Sequence, residues 1–488
     1  MRIFLLCFLL MGLTLAHAEE SAQKNSNERP NEGSLFGSDQ QNDVKGLDTA
    51  APPSDAFASG EVKDNPLEIG GIFYQRMIVS GQSGAGASDA PLSLPLQFDG
   101  FLDARPSDRI RGFVDERLLY DSTRDQYSNT TGGKSAGSLQ FSSTSAAPTS
   151  VSTTTPVPNN PQAVLDQAWL KFDINRTVFV TAGKQHVKWG TGRYWNPTDF
   201  LSTQKRDPLL PYDLRLGNTM AKFEIPWEAK KTNFYAIALF DNPQPASTLG
   251  QMGAAFRAEK VIGNTEVGFD FVSRGGRTPV YGADISAPLG PFDVYAEAAV
   301  VSSATTPTYT LVSAPVTGAD LSALFSSTQP KGPFLQTSVG GNYTFGWKEN
   351  RQAVLGAEYF YNQLGYTTST AYPILIFNGQ YQPFYTGKNY AAVYLTAEGP
   401  DSEKHTNYTF STLGNLSDKS FISRIDFSWR VLTYLTFESY LDGHYGSRGG
   451  EFNFTLNTPT LGYQGKTVAA LSIPPTFFDI GTGLRLSF

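Results

Sequence analysis

The sequence predicts an all-β protein: one transmembrane antiparallel β-barrel of about 18 strands, with 16 as the alternative count. Three observations carry this. The chain opens on an export pattern. From Leu67 to the last residue, apolar and polar positions alternate with a period of two. The connections between the alternating segments are short and long in turn.

Arg2 supplies a positive start, Ile3 to Leu15 an apolar run, and Ala16-His17-Ala18 a small-x-small cleavage pattern before Glu19. Residues 1–18 are therefore expected to be a signal peptide. The run is short for a membrane helix, which needs about 20 apolar residues, and no later run approaches that length. Cys7 is the single cysteine. Its removal with the signal leaves no disulfide framework, zinc-thiolate site or cysteine nucleophile. Residues 19–66 hold ten Asp and Glu against four Lys and Arg, with Phe36 and Phe57 as the only aromatics. Such a segment lacks the apolar surface to order itself, and it reads as a disordered periplasmic tail.

Residues 67–488 are expected to form the barrel. Leu92, Leu94, Leu96, Phe98 and Leu102 share one parity, and Ser93, Gln97, Asp99 and Asp103 the other. The same alternation runs through Val267, Phe269 and Phe271, through Phe292 to Val300, through Ala353 to Tyr361, and through Ile425, Phe427 and Trp429. Glycines and β-branched or aromatic residues in these windows disfavour helix. Strands are expected to start near residues 67, 92, 108, 164, 177, 214, 231, 250, 264, 279, 291, 334, 351, 388, 406, 419, 434 and 476. The two at 67 and 406 are the weakest.

A soluble sandwich would alternate equally well, so the loops decide. Tight turns fall near Pro106-Ser107, Asn175-Arg176, Gly263, Gly290, Lys348-Glu349 and Leu432. Between them lie 122–163, 188–213, 302–333, 364–387 and 447–475. Short turns at one end and long loops at the other are the outer-membrane barrel arrangement. Trp227, Trp347 and Tyr434 near turns, and Tyr120, Tyr361 and Tyr445 near long loops, fit two interfacial girdles.

By parity the inward face carries Arg109, Arg111, Asp115, Arg117, Lys171, Glu266, Asp270, Glu297, Glu358, Arg424, Asp426, Arg430, Glu438 and Asp442. A water-filled interior tolerates such charges, and facing rows of opposite sign orient polar solutes. The plainer reading is pairing across the wall. Early strands are richer in Arg and Lys, which points to an anion-facing wall there.

One segment stands out, Gly183 to Leu201, with two tryptophans and a tyrosine. Gly190 and Gly192 permit a tight turn. Pro197 holds Asn196 extended, and Asn196 and Asp199 are candidates to cap local backbone. Trp189, Tyr194 and Trp195, with Arg193 among them, are costly to leave in water. The alternatives are a loop folded into the barrel, which would narrow it, or one packed over its rim.

The chain's last residues, Phe478, Ile480, Leu484, Leu486 and Phe488, alternate with Asp479, Gly481, Gly483, Arg485 and Ser487, and Phe477 falls on the inward parity. Thr476 to Phe488 resembles the final strand of bacterial outer-membrane porins. Over Gly183 to Asp199 the G-x-Q-x-x-x-W-G…N-P-x-D pattern is similar to a loop of large, uncharacterised porin-like barrels. The resemblance implies an outer-membrane location with the tail in the periplasm. It also implies Phe488 as the signal read by the barrel-assembly machinery, and a channel for passive passage of small polar or charged solutes. Expected partners are outer-membrane lipid, that machinery and the solutes; an oligomer is compatible and nucleic acid is not expected.

Enzymatic readings find little. His186, His405 and His444 are the histidines after cleavage, and no G-x-S-x-G, H-E-x-x-H, P-loop or dinucleotide pattern occurs. No cofactor, metal or catalytic residue is expected. A barrel enzyme acting on lipid and a surface receptor or adhesin stand as alternatives.

Overall fold

A computed structural model describes residues 66–488 except 124–137, 142–147, 153–159, 203, 211–212, 243, 246–247, 349–350, 401–404, 464 and 469. The signal peptide expected over 1–18 and all but the last residue of the tail expected over 19–66 lie outside the described residues.

The chain forms a closed antiparallel barrel of eighteen strands. In chain order these are β1 (Leu67–Gln82), β2 (Pro95–Ser107), β3 (Ile110–Asp121), β4 (Gln162–Ile174), β5 (Val178–Gln185), β6 (Asn218–Trp227), β7 (Thr232–Leu239), β8 (Gly253–Ile262) and β9 (Thr265–Arg274). Then follow β10 (Val280–Leu289), β11 (Phe292–Val301), β12 (Phe334–Lys348), β13 (Arg351–Asn362), β14 (Asn389–Glu398), β15 (Thr406–Asn415), β16 (Ser420–Leu432), β17 (Leu435–Gly446) and β18 (Thr476–Ser487). Each pairs with its neighbours in sequence, and β1 pairs with β18 from Ile72↔Ser487 to Gln82↔Thr476, which closes the ring. Both weak strands, at 67 and 406, are present, so the count is 18 and not 16.

Alternation sets the two faces, because successive side chains of a strand point to opposite sides. On β2, Phe98 and Leu102 are exposed outside, while Asp99 and Asp103 are buried inside. On β13, Leu355 and Tyr359 point out, and Val354, Glu358 and Phe360 point in. The outer belt continues through Phe256, Phe269, Ile285, Val393, Ile425 and Leu484, all exposed. Among the described residues no helix is long and apolar enough to cross a membrane.

At one end the turns are tight. Asn175 and Arg176 both have positive φ, 54° and 56°, the conformation whose twist matches a two-strand hairpin. At the other end most loops are long, but 275–279 and 416–419 are short. Three long loops share an apolar cluster: Leu321 and Leu324 from 302–333, Tyr372 to Phe377 from 363–388, and Phe454, Leu456 and Tyr463 from 447–475. Within it Tyr372–Phe377 forms a short six-residue helix, α1, where only loop was expected. Phe477 departs from the expected inward parity. The β1–β18 register shifts between Gly81 and Gln82, which makes Phe477 the extra residue of a bulge, and it is half-exposed.

Candidate functional site

The described residues of the segment between β5 and β6, 186–217, fold into the barrel and pack on inward-facing side chains. Two carboxylates hold its backbone. Glu297 of β11 accepts the N–H groups of Thr191 (2.6 Å) and Gly192 (2.5 Å) on Oε1. On Oε2 it accepts the N–H (3.2 Å) and hydroxyl (2.7 Å) of Thr198. Glu358 of β13 accepts the N–H groups of Arg193 (2.9 Å), Tyr194 (3.1 Å) and Trp195 (2.8 Å). Tyr295 and Ser338 donate their hydroxyls to the same carboxylate at 2.7 and 3.0 Å. Six loop N–H groups thus find their acceptors on two side chains of the barrel wall.

The glycines are required by this seat. Gly190 has φ +92°, and a Cβ there would lie 2.6 Å from Glu297 Oε2. A Cβ on Gly192 would lie 2.1 Å from the Trp195 carbonyl oxygen. The aromatics then bury themselves. Trp195 is fully enclosed, stacks on Phe360 at 5.9 Å, and donates its indole N–H to the Phe384 carbonyl at 2.8 Å. Tyr194 packs on Tyr394 at 5.7 Å, and the Arg193 guanidinium lies 4.2 Å from the Tyr394 ring centre. Trp189 joins Val187, Leu201, Met220 and Ile237 in a separate apolar cluster.

Asp199 does not cap backbone as expected. Its carboxylate takes Arg215 at 2.7 Å and the Ser202 hydroxyl at 3.2 Å. Arg215 also binds Asp213 at 2.6 Å. Against the opposing effect of burial, the bonds from Arg215 hold the Asp213 carboxyl at about 2. Asn196 lies 3.5 Å from the Trp189 carbonyl.

The expected interior charges are largely paired along the wall. Arg117, 1% exposed, bridges Asp99 (3.1 Å) and Asp166 (2.8 Å). Arg111 binds Asp103 at 2.9 Å, and Lys171 lies opposite it in register. Arg257 binds Asp270 (2.6 Å) and Asp284 (2.7 Å). Arg424 binds Asp426 at 2.7 Å, and Arg485 binds Glu438 at 3.2 Å. Arg109 sits at the tight-turn rim with Asp173, at 2.8 Å. Glu266 and Arg430 are exposed near the same end, and Asp442 lies beside His444. Asp115 is buried, and neither carboxylate oxygen has a hydrogen-bond partner among the described residues.

Parity counting missed Asp166. The β3–β4 register shifts between Asp115 and Glu116, and the bulge turns Asp166 and Gln167 inward together. Asp166 then receives Arg117, His186 (2.9 Å) and the N–H of Gly217 (3.0 Å). Arg76 and Arg206 were also missed. With Arg193, Arg424, Asp426 and Glu438 they line a cavity of about 140 Å³ beside the loop. Arg76 follows inward parity on β1 and could have been found. Arg206, in a loop, carries no periodic signal.

No protein-family model and no curated protein matches the chain. Among solved structures it is similar to Acinetobacter baumannii OccAB1, with TM-score 0.47 and 11% identity over 86% of this chain and 96% of that one. It is also similar to a triple mutant of Rhodopseudomonas blastica porin, with TM-score 0.39 and 9% identity over 86% of this chain and 100% of that one. The barrel assignment rests on the strand register described above.

Proposed function

We propose that the chain is a passive outer-membrane channel for small polar or charged solutes, with the β5–β6 loop as its constriction and a preference for anions. One observation carries the reading: the loop is fastened inside the barrel by Glu297 and Glu358, beside a cavity bordered by four arginines and two acids. The apolar outer belt supports a membrane setting, since a closed barrel satisfies its backbone in lipid. Exposed Trp227, Trp347 and Tyr434 at the tight-turn end, and Tyr445 at the other, fit the two interfaces. The tight-turn end would then face the periplasm.

A narrow passage raises the effect of fixed charge, because less water screens it. The anion preference follows from Arg76, Arg193, Arg206 and Arg424 outnumbering Asp426 and Glu438 at the cavity. Arg424 is offset by Asp426 and Glu438 by Arg485, and the arginines lining the cavity still outnumber its acids.

Single-channel recording in planar bilayers tests both parts. Deleting Gly190–Asn196 should raise conductance severalfold, and Arg193→Glu should shift reversal potentials toward cations. Parent-like conductance and selectivity in both variants would overturn the reading.

A further inference from the structure

Away from the loop, the inward face of β17 and β18 gathers a histidine and two carboxylates near the long-loop end. Asp442 and Asp479 are directly opposite in register, and His444 follows Asp442 on the same face. His444 Nε2 lies 3.2 Å from Asp442 Oδ1 and 3.2 Å from Asp479 Oδ2. One donor atom from each residue falls within 4.8 Å of the other two.

The outer wiring of the ring points the same way. His444 Nδ1 is 2.8 Å from the Phe452 carbonyl oxygen. A carbonyl only accepts, so Nδ1 carries a proton; the two carboxylates on Nε2 accept likewise, so without an ion Nε2 carries the second proton, and a metal bound there takes that proton's place. A ligating histidine commonly has its second nitrogen fixed to a carbonyl in this manner. Each carboxylate is also oriented from outside the histidine. Ser80 of β1 donates its hydroxyl to Asp479 Oδ1, and the Asp479 N–H donates to Asp442 Oδ1 at 3.0 Å.

The spacing suits a small divalent ion. Nitrogen and oxygen donors about 2.0–2.2 Å from a tetrahedral zinc ion are about 3.3–3.6 Å apart. Two edges of 3.2 Å need little adjustment. Once the Nε2 proton has left, the three groups carry two negative charges to balance the ion. The nearest arginine, Arg424, is engaged by Asp426 at 2.7 Å and stands 3.9 Å from Asp442. Access is from one side: the His444 side chain is fully enclosed, whereas that of Asp479 is 19% exposed.

We propose that Asp442, His444 and Asp479 bind one divalent transition-metal ion of the zinc type, leaving a fourth position open to the barrel interior. Phe452 belongs to the 447–475 loop, so an ion on His444 also fastens that loop to the wall.

The test is calorimetric titration of the metal-stripped, folded protein in detergent with Zn²⁺. One ion per chain is expected to bind, and Ca²⁺ at equal concentration should not displace it, since an imidazole donor favours zinc. His444→Gln and Asp479→Asn should each weaken binding at least tenfold. The second variant is near-isosteric and at the more exposed position, and unboiled gel mobility verifies that both are folded. Absence of one-to-one binding, displacement by Ca²⁺, or unchanged affinity in folded Asp479→Asn would each overturn the proposal.

Discussion

Glu297 and Glu358 each work at long range, joining loop amides 99 to 165 residues away in sequence to the barrel wall. That explains what was legible at the scale of single residues. Both acids fall on the inward parity, and Gly190, Gly192, Trp189 and Trp195 announce a loop with something to bury. The pairing between them has no local signal, because nothing near Gly190 in sequence identifies its acceptor. Asp166 was hidden for a different reason: one bulge residue reverses the count on which parity depends.

The titration of a buried loop acid gives a test at this scale. Glu451 is fully enclosed in the 447–475 loop. Burial, with Asp418 beside it, pushes its carboxyl up to about 8. It accepts from Tyr390 (2.6 Å), Asn415 (2.9 Å) and the N–H of Phe384. The folded value lies above the ordinary 4.5. The stabilisation is therefore complete below about pH 4.5, declines as the pH rises, and is gone above about 8. Limited proteolysis of this loop should accelerate severalfold between pH 6 and 9, and Glu451→Gln should flatten the profile. Equal slopes for parent and variant would remove Glu451 as the cause.

Among the elements, strands were easier to read than loops. Each strand repeats its signal over eight to sixteen residues, so a weak alternation such as that of β15 still registers. Helix α1 has six residues and no room for a helical period. Its Tyr372-Pro373-Ile374-Leu375-Ile376-Phe377 run is an apolar stretch with no reason to stay in water, which hinted at burial but not at shape. The final strand yields a prediction of its own. The Phe488 N–H donates to the Gly71 carbonyl (3.1 Å), its carbonyl accepts the Gly71 N–H (2.9 Å), and its ring lies 6.4 Å from Phe98. Phe488 thus completes the β1–β18 seam on the apolar outer side. Phe488→Asp should reduce folded protein in the membrane fraction by a large factor. Phe477→Asp, at the bulge of the opposite end, should reduce it far less. Equal membrane levels for the two variants would argue against Phe488 as the assembly signal.

For the whole molecule, closure and filling are separate properties, and they can be separated by experiment. Closure comes from the register: each of the eighteen strands is bonded on both sides, with β1 held between β18 and β2. A ring without edges gives detergent no strand to peel away. Filling comes from the β5–β6 loop and from the three-loop cluster at the long-loop end, which use side-chain contacts and leave the ladder untouched. The unboiled protein should therefore migrate differently from the boiled one on a gel, with a β-type far-UV spectrum. Deleting Gly190–Asn196 should preserve that difference, because all eighteen ladder pairings remain. Deleting residues 67–82 should abolish it, because β2 and β18 each lose a partner. If boiled and unboiled parent protein migrate alike, or the spectrum is helix-dominated, the closed barrel is not the state the chain adopts. If the loop deletion alone abolishes the shift, the loop belongs to the scaffold, and its proposed role as a removable constriction falls with it.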